Sequence, residues 1–148
     1  MKVIVPDASI ILRWVIGEDE DGQDRAIELL KGWLNQEYEF IMPSLWIYEV
    51  GNVLGLKRPR DAEKILGLLI GYEFKESQIT NIQINLTFHL MKEFKGVPFY
   101  DAIYHAIALL EKGMMVTADK DYFKKTKGKG GIMLWGYAPD SGAPYILC

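Results

Sequence analysis

Short apolar runs alternate with stretches of helical periodicity along this chain, and the alternation predicts an α/β fold. Residues Val3, Ile4 and Val5 form a continuous β-branched run, which is typical of a strand buried on both faces. Four later runs resemble it, although the second of these is weaker. We therefore predict strands at residues 3–5, 40–42, 77–79, 114–117 and 132–135.

Between these strands, apolar residues recur at the spacing of a helix face. The pattern predicts helices at residues 10–15, 26–34, 45–53, 60–72, 84–95 and 101–110. Ser44 stands where it can cap the third helix, and Gly96 and Gly113 end the last two. Strands that alternate with helices indicate a three-layer α/β/α sandwich with a central parallel sheet of four to five strands.

Three segments lie outside this regular pattern. Residues 17–22 are an acidic stretch between two glycines, and we predict a solvated connecting loop there. Residues 120–129 are rich in lysine and glycine, and we predict a mobile loop. Residues 136–148 contain two prolines and two glycines and are predicted to be an irregular tail. The 148 residues otherwise form one domain with no linker or internal repeat.

The composition is that of a soluble globular protein, with 49% hydrophobic and 25% charged residues. No apolar run reaches the roughly 18 residues that a membrane span needs, and no signal peptide is visible, so we expect a cytoplasmic protein. The single cysteine, Cys148, excludes an internal disulfide and a cysteine-based zinc site. A net charge of −3 argues against broad electrostatic adhesion to nucleic acid but leaves room for local basic patches.

Four acidic residues that are far apart in sequence are predicted to meet at one edge of the sheet. Asp7 and Asp119 follow strands, Asp101 stands in the first turn of a helix, and Glu49 lies early in another. Taken singly, each has an ordinary explanation: Asp7 as a helix cap, Asp101 as a partner of the helix dipole and Glu49 as a solvated side chain. The carboxyl ends of parallel strands share one edge, so the combination points to a common crevice.

Converging carboxylates repel one another, and a bound divalent cation relieves the repulsion. Hard cations held by carboxylates activate water and stabilise the oxygen that departs from a phosphodiester, with one ion or with two about 4 Å apart. The sequence contains neither a Walker-type loop nor a Gly-x-Gly-x-x-Gly motif, which weakens nucleotide-binding alternatives. The acidic set therefore favours metal-dependent phosphate chemistry.

These residues, with their neighbours, resemble the PIN domain and, within it, the small ribonucleases of the VapC toxin type. The resemblance covers roughly residues 1–135. Four short pieces carry it in the right order, namely Val5-Pro6-Asp7-Ala8-Ser9, then Pro43 to Glu49 with Asn52-Val53-Leu54, then Tyr100-Asp101-Ala102, and finally Val116-Thr117-Ala118-Asp119-x-Asp121-Tyr122-Phe123. The acidic stretch after Gly17 and the tail have no counterpart in the resemblance.

The resemblance implies a ribonuclease that depends on Mg²⁺ or Mn²⁺. In that family pattern the catalytic and metal-binding acids correspond to Asp7, Glu49, Asp101 and Asp119. Asp121 fills the place of a further acid, and whether Asp119 or Asp121 is the closer ligand stays open. Ser9 and Thr117 match small hydroxyl residues that support the ligands. Proteins of this type commonly form homodimers and are held by a small antitoxin protein, so both partners are expected here.

Several other residues have two interpretations. His105 could share a helix face with Asp101 and bind a metal, but a structural histidine is the simpler expectation. Lys120, Lys124 and Lys125 could contact the RNA backbone, or they could be solvated. The aromatic residues near the predicted site are expected in the core or, if exposed, at a protein interface; they are Trp14, Trp46 and Tyr48.

Three functions are compatible with this pattern. The favoured one is a metal-dependent endoribonuclease, the toxin of a toxin–antitoxin pair. The second is a catalytically idle PIN-like module that binds RNA or protein, although such a module has no need of four clustered acids. The third is a receiver-like phosphotransfer protein, but those group two acids early in the chain, where Asp7 stands alone.

Overall fold

The computed structural model describes residues 1–17 and 20–135, with residues 20–22 described by their backbone alone. Five strands and seven α-helices follow one another in these residues. The strands are β1 (Val3–Pro6), β2 (Glu39–Pro43), β3 (Lys75–Ser77), β4 (Met114–Thr117) and β5 (Ile132–Leu134). The helices are α1 (Ala8–Val15), α2 (Glu20–Leu34), α3 (Leu45–Lys57), α4 (Ala62–Ile70), α5 (Asn81–Glu93), α6 (Phe99–Leu110) and α7 (Lys120–Thr126), and a short 3₁₀ helix spans Lys127–Lys129.

The strands form one parallel sheet in the order β3-β2-β1-β4-β5, which confirms the predicted α/β sandwich. Strand β1 lies at the centre, and its Ile4 is opposite Phe40 of β2 on one side and Met114 of β4 on the other. Ile4, Val5 and Phe40 are buried, and Met114 is partly buried. The continuous apolar run of β1 is therefore explained by helices that cover both faces of the sheet.

The backbone just before β4 packs closely against β1. Gly113 lies so near β1 that a Cβ atom at this position would be 2.4 Å from the carbonyl oxygen of Val3. Only glycine fits there without displacing the backbone of the central strand. The residue that ends α6 in the sequence pattern therefore also permits β4 to pair with β1.

An aromatic cluster packs at one end of the sheet and fixes α1 and α2 against it. The Trp14 ring stacks on Phe40 at 5.7 Å, and Trp33 stacks on the same ring at 5.6 Å. The indole Nε1 of Trp14 donates to the carbonyl oxygen of Ala26 at 2.7 Å. Trp14 and Trp46 are both buried, whereas Tyr48 is 74% exposed.

Several details of the predicted elements are wrong. The acidic stretch is not a loop throughout, because α2 already begins at Glu20. Ser44 precedes α3 but its side chain makes no capping hydrogen bond, since its own backbone is already helical. The lysine-rich stretch is not a loop either: Asp119 caps α7 and the chain continues into a 3₁₀ helix, because lysine is a good helix former.

The remaining differences are shifts of element boundaries. Strand β3 lies at residues 75–77, two residues before its predicted place. Helix α5 begins three residues earlier than predicted because Thr80 and Gln83 form a capping box there. Helix α4 is shorter at both ends than the predicted segment. The predicted tail at residues 136–148 lies outside the described residues. No helix in residues 1–17 and 20–135 is long and apolar enough to cross a membrane.

Candidate active site

The site lies beyond the carboxyl ends of the two strands at the middle of the sheet. Asp7 directly follows β1, and Asp119 comes two residues after the end of β4. Strands β2 and β3 lie on one side of β1, and strands β4 and β5 lie on the other side. The strand order therefore reverses between β1 and β4. Connections diverge at such a reversal and leave a crevice, where ligands of open α/β sheets bind.

A pocket of about 320 Å³ occupies this crevice, and we call it the acidic pocket. All four predicted acids line it. Its complete lining in the described residues contains no lysine, arginine or histidine and consists of Asp7, Ala8, Ser9, Leu12, Glu49, Asn52, Val53, Asp101, Tyr104 and Asp119. The chain thus brings four carboxyl groups from four separate segments into one cavity.

Asp7 is the buried centre of a hydrogen-bond network. One of its carboxylate oxygens, Oδ1, accepts from the Ser9 hydroxyl and from the backbone N–H of Ile10 at 3.2 Å. The other, Oδ2, accepts from the Thr117 hydroxyl at 2.5 Å. The bond from Ile10 is also a helix cap, so Asp7 serves as N-cap of α1 and lines the acidic pocket at the same time.

Ser9 and Thr117 connect this network to the second central strand. The Ser9 oxygen accepts from the backbone N–H of Ala118 at 2.9 Å, and the Thr117 oxygen accepts from the backbone N–H of Asp119 at 3.1 Å. Each hydroxyl therefore accepts a hydrogen bond from the segment after β4 and donates one to Asp7. This arrangement fixes the Asp7 carboxylate relative to the segment that carries Asp119.

Glu49 on α3 and Tyr104 on α6 meet across the pocket. The Tyr104 hydroxyl donates to Glu49 Oε1 at 2.8 Å, and the tyrosine is only 1% exposed. The sequence pattern did not identify Tyr104. Its position three residues after Asp101 was the available signal, because residues at that spacing share one face of a helix.

Asp119 is exposed and is held by the start of α7. Its Oδ1 accepts from the backbone N–H groups of Asp121 and Tyr122, each at 3.0 Å. The lining formed by the described residues does not include Asp121, whose exposed side chain belongs to the first turn of α7. Of the two acids that the sequence left undecided, Asp119 is the one in the pocket.

Burial raises the pKa of three of the four carboxyl groups. Desolvation raises the pKa of Asp7 from 3.8 to about 6, against the lowering effect of its hydrogen bonds from Ser9, Thr117 and the backbone. Desolvation likewise raises the pKa of Glu49 to about 7, where the Tyr104 hydrogen bond opposes it and the charges of Asp101 and Asp7 add to it. The pKa of Asp101 rises to about 6 through desolvation and the charges of Asp7 and Asp119. The pocket therefore disfavours its own negative charge.

The donor set suits a hard divalent cation. Carboxylate oxygens are the ligands that Mg²⁺ prefers, and a cation would stabilise the ionised form of groups whose pKa is raised. Within the described residues, no group of three Asp, Glu, His or Cys side chains is already arranged to hold a metal ion.

His105 belongs to a separate, structural contact. The ring is fully buried, its Nε2 donates to the carbonyl oxygen of Gly130 at 2.7 Å, and its Nδ1 accepts from the Tyr122 hydroxyl at 3.1 Å. Desolvation lowers the pKa of His105, against the raising effect of its hydrogen bond to Gly130. Its alternative as a metal ligand is not supported, and it instead joins α6 to α7 and to the loop before β5. Three lysines of α7, for which contact with RNA was one of two interpretations, are exposed and lie outside the acidic pocket; they are Lys120, Lys124 and Lys125.

Comparison with protein-family models gives a match over most of the chain. The family model of the PIN domain matches residues 4–129. The chain belongs to the PIN domain family. Proteins of the PIN domain family are generally nucleases that use divalent metals. No curated protein matches the sequence.

Solved structures with a similar fold include three toxin–antitoxin proteins. VapBC2 from Rickettsia felis, bound to a DNA fragment from its promoter, has a TM-score of 0.70 at 13% identity, over 90% of this chain and 98% of that chain. VapC20 from Mycobacterium tuberculosis, a toxin that cleaves the sarcin–ricin loop, has a TM-score of 0.62 at 13% identity, over 82% and 93%. A toxin–antitoxin complex from Klebsiella pneumoniae has a TM-score of 0.61 at 19% identity, over 88% of this chain and 95% of that chain. At these identities the PIN fold is what the chain shares with them.

Proposed function

We propose that this PIN domain protein is an endoribonuclease that depends on Mg²⁺ or Mn²⁺. The acidic pocket carries the proposal, because four carboxyl groups line it and burial raises the pKa of three of them. A protein gains nothing in stability from crowding such groups, so a ligand that pairs with them explains their presence.

Asp7, Glu49, Asp101 and Asp119 would hold the metal. When bound, the metal supplies activation of the attacking water and stabilisation of the oxygen that leaves phosphorus. The protein supplies orientation. Ser9 and Thr117 fix both oxygens of Asp7, Tyr104 fixes one oxygen of Glu49, and the first turn of α7 fixes Asp119.

Helix α7 offers lysines for contact with the RNA backbone. Three exposed lysines follow Asp119 closely in sequence, on the helix that Asp119 caps; they are Lys120, Lys124 and Lys125. Lysine acts on phosphate as a point charge, and such contacts position a strand without selecting its sequence. These lysines remain a proposed RNA-binding set.

We also propose that the ribonuclease is the toxin of a toxin–antitoxin pair and forms a homodimer. The similarity of fold to toxins solved with their antitoxins supports the first part. Exposed large apolar side chains on α3, α4 and α5 support an interface, because contact with another protein would remove them from water. These side chains include Tyr48, Leu56, Leu68, Ile82 and Phe88. Co-expression with the neighbouring reading frame and sedimentation of the isolated protein test the two parts.

The decisive experiment is cleavage of single-stranded RNA with Mg²⁺ or Mn²⁺ by the purified protein and by Asp101→Asn. The variant removes one proposed ligand while it keeps the side-chain shape, so cleavage should fall by at least about 100-fold. Asp61→Asn is the matched control, because Asp61 is exposed and lies outside the acidic pocket. It should cleave as the wild type does.

The outcome that favours an idle PIN-like module is also defined. In that case no RNA is cleaved with either cation, and millimolar Mn²⁺ leaves the melting temperature unchanged. A resident metal site predicts the opposite for melting, since a ligand that binds only the folded state stabilises it. Equal cleavage by the wild type and Asp101→Asn would end the assignment of Asp101 as a metal ligand.

A further inference from the structure

A second pocket, which we call the basic pocket, opens beside the acidic one. Its volume is about 350 Å³, and among the described residues two cationic side chains, Arg13 and Lys57, line it. The other described residues in its lining are Ser9, Leu12, Ile16, Val53, Ala118 and Asp119. Four of these also line the acidic pocket, namely Ser9, Leu12, Val53 and Asp119. The two pockets are therefore adjoining parts of one continuous crevice.

Two helices run from one pocket to the other. Arg13 follows Ser9 by four residues on α1, which is a rise of about 6 Å along the helix. Lys57 follows Glu49 by eight residues on α3, a rise of about 12 Å, and Val53 lies midway and contributes to both pockets. Arg13 thus lies about one helical turn beyond Ser9, and Lys57 about two turns beyond Glu49, so each charge is displaced from the acidic pocket along its own helix.

This juxtaposition addresses an electrostatic difficulty of the proposed reaction. The chain has a net charge of −3, and the acidic pocket repels a polyanion on its own. Fixed positive charges beside it would attract the strand and set its direction. Arginine forms paired hydrogen bonds with phosphate oxygens, and lysine adds a mobile point charge.

We propose that the basic pocket binds a backbone phosphate of the RNA strand, next to the phosphate that occupies the acidic pocket. The inference rests on the proposed ribonuclease function for its ligand. The apolar walls of the pocket suit the ribose or base attached to that phosphate, because Leu12, Ile16 and Val53 offer hydrocarbon surface between the charges. The crevice thus recognises a single strand by its phosphate spacing, with the acidic pocket as one end of the bound segment.

The first test measures binding of a single-stranded RNA oligonucleotide in EDTA, where metal-dependent cleavage is absent. Arg13→Gln and Lys57→Gln remove the charges, and we expect the double variant to bind about tenfold more weakly. The slope of log affinity against log salt should fall by about 0.7 for each phosphate that the protein no longer neutralises. Arg60→Gln is the matched control: Arg60 is exposed, lies three residues after Lys57 and is outside the pocket. It should change neither quantity.

The second test uses substrate length in the cleavage assay. The double variant should show a reduced kcat/KM, mainly through a higher KM, on a long oligonucleotide. Oligonucleotides shortened from either end remove the nucleotide that reaches the basic pocket in one of the two series. In that series the kcat/KM of the wild type should fall to that of the double variant. Shortening the RNA and replacing the two basic side chains remove the same interaction, so their effects should not add.

The outcomes separate this inference from the proposed function. If the wild type cleaves RNA and the double variant matches Arg60→Gln in affinity, salt slope and KM, the basic pocket does not bind phosphate and the ribonuclease stands. If no RNA is cleaved but binding in EDTA depends on Arg13 and Lys57, the ribonuclease fails and the phosphate pocket stands. A double variant that binds polyglutamate more weakly but RNA as tightly as the wild type would overturn the inference and assign the pocket to an acidic protein segment.

Discussion

Replacement of Asp7 by asparagine should stabilise the metal-free protein at neutral and alkaline pH while it abolishes cleavage. The side chain is 5% exposed, and in the absence of metal its ionised form is held in a pocket that favours the neutral acid. Asparagine has the same shape and never ionises. It also retains the cap of α1, because its oxygen can accept from Ile10 as the carboxylate does.

The magnitude follows from the pKa and the hydrogen bonds of Asp7. A pKa raised from 3.8 to about 6 is a shift of about two units, which corresponds to ~3 kcal/mol at a pH above both values. A smaller effect opposes this gain. In the wild type the Thr117 hydroxyl donates to Asp7 Oδ2, and in the variant an amide nitrogen takes the place of that oxygen. Loss of the hydrogen bond costs ~1 kcal/mol. The free energy of unfolding should therefore rise by ~2 kcal/mol, or about 6 °C in melting temperature.

The sign of the pH dependence is fixed by the direction of the pKa change. Because the folded-state pKa is raised, the folded protein holds the Asp7 proton more tightly than the unfolded chain does. The stability contribution of the protonated group is fully present below the unfolded-state value of 3.8 and is lost as pH rises to about 6. The advantage of Asp7→Asn should thus be complete at pH 8 and be largely gone at pH 4.

Urea unfolding of both proteins in EDTA at pH 4 and pH 8, repeated with Mn²⁺, measures these quantities. Manganese should reverse the order at pH 8, because only the wild type keeps the full ligand set. Asp7→Ala is the control for capping and should cost about 1 kcal/mol at pH 4. An Asp7→Asn protein that is less stable than the wild type at pH 8 in EDTA would refute the electrostatic reasoning, and one with wild-type cleavage would end the assignment of Asp7 as a ligand.

Two further predictions concern the site and the sheet. Tyr104→Phe removes the 2.8 Å hydrogen bond to Glu49, and this bond lowers the Glu49 pKa. Mn²⁺ affinity at pH 7, measured by titration calorimetry, should therefore fall about fivefold, which corresponds to ~1 kcal/mol. Unchanged affinity would contradict this role of Tyr104. Gly113→Ala forces a Cβ against the Val3 carbonyl oxygen and should lower the free energy of unfolding by about 2–3 kcal/mol in urea, whereas Gly55→Ala, with open space around its Cβ within α3, should raise it by about 0.5–1 kcal/mol. Equal effects of the two alanines would contradict the close packing of β4 on β1.

The sequence predicts the parts of this fold that depend on burial. The β-branched run at Val3 and the apolar run at Met114 are strands because both faces of the central sheet are covered, and that environment leaves a strong pattern. Asp7 and Asp119 could be assigned to one edge for the same reason. Strand β3 has no buried residue, and its position was misjudged by two residues because an edge strand needs little apolar sequence.

Polar contacts between distant segments were beyond the reach of the sequence pattern. The bond from Tyr104 to Glu49 joins residues 55 positions apart, and the one local signal was the spacing of Tyr104 from Asp101 on α6. The basic pocket could not be predicted for a similar reason, because the helices that carry Arg13 and Lys57 are adjacent only in the fold. The lysines of α7 lie in a charged, glycine-rich stretch that is typical of a loop, and the structure shows instead that the Asp119 side chain starts a helix there.

The order of assembly is a consequence of the central position of β1. Asp7 is made first, but Thr117, the partner that holds its Oδ2 atom, lies 110 residues later in the chain. At a synthesis rate of about 5–20 residues per second, the N-terminal strand waits at least several seconds on the ribosome before β4 can pair with it. A chain that has not yet reached Thr117 and Asp119 therefore lacks a complete acidic pocket, and any activity of this site begins only after these residues have been synthesised.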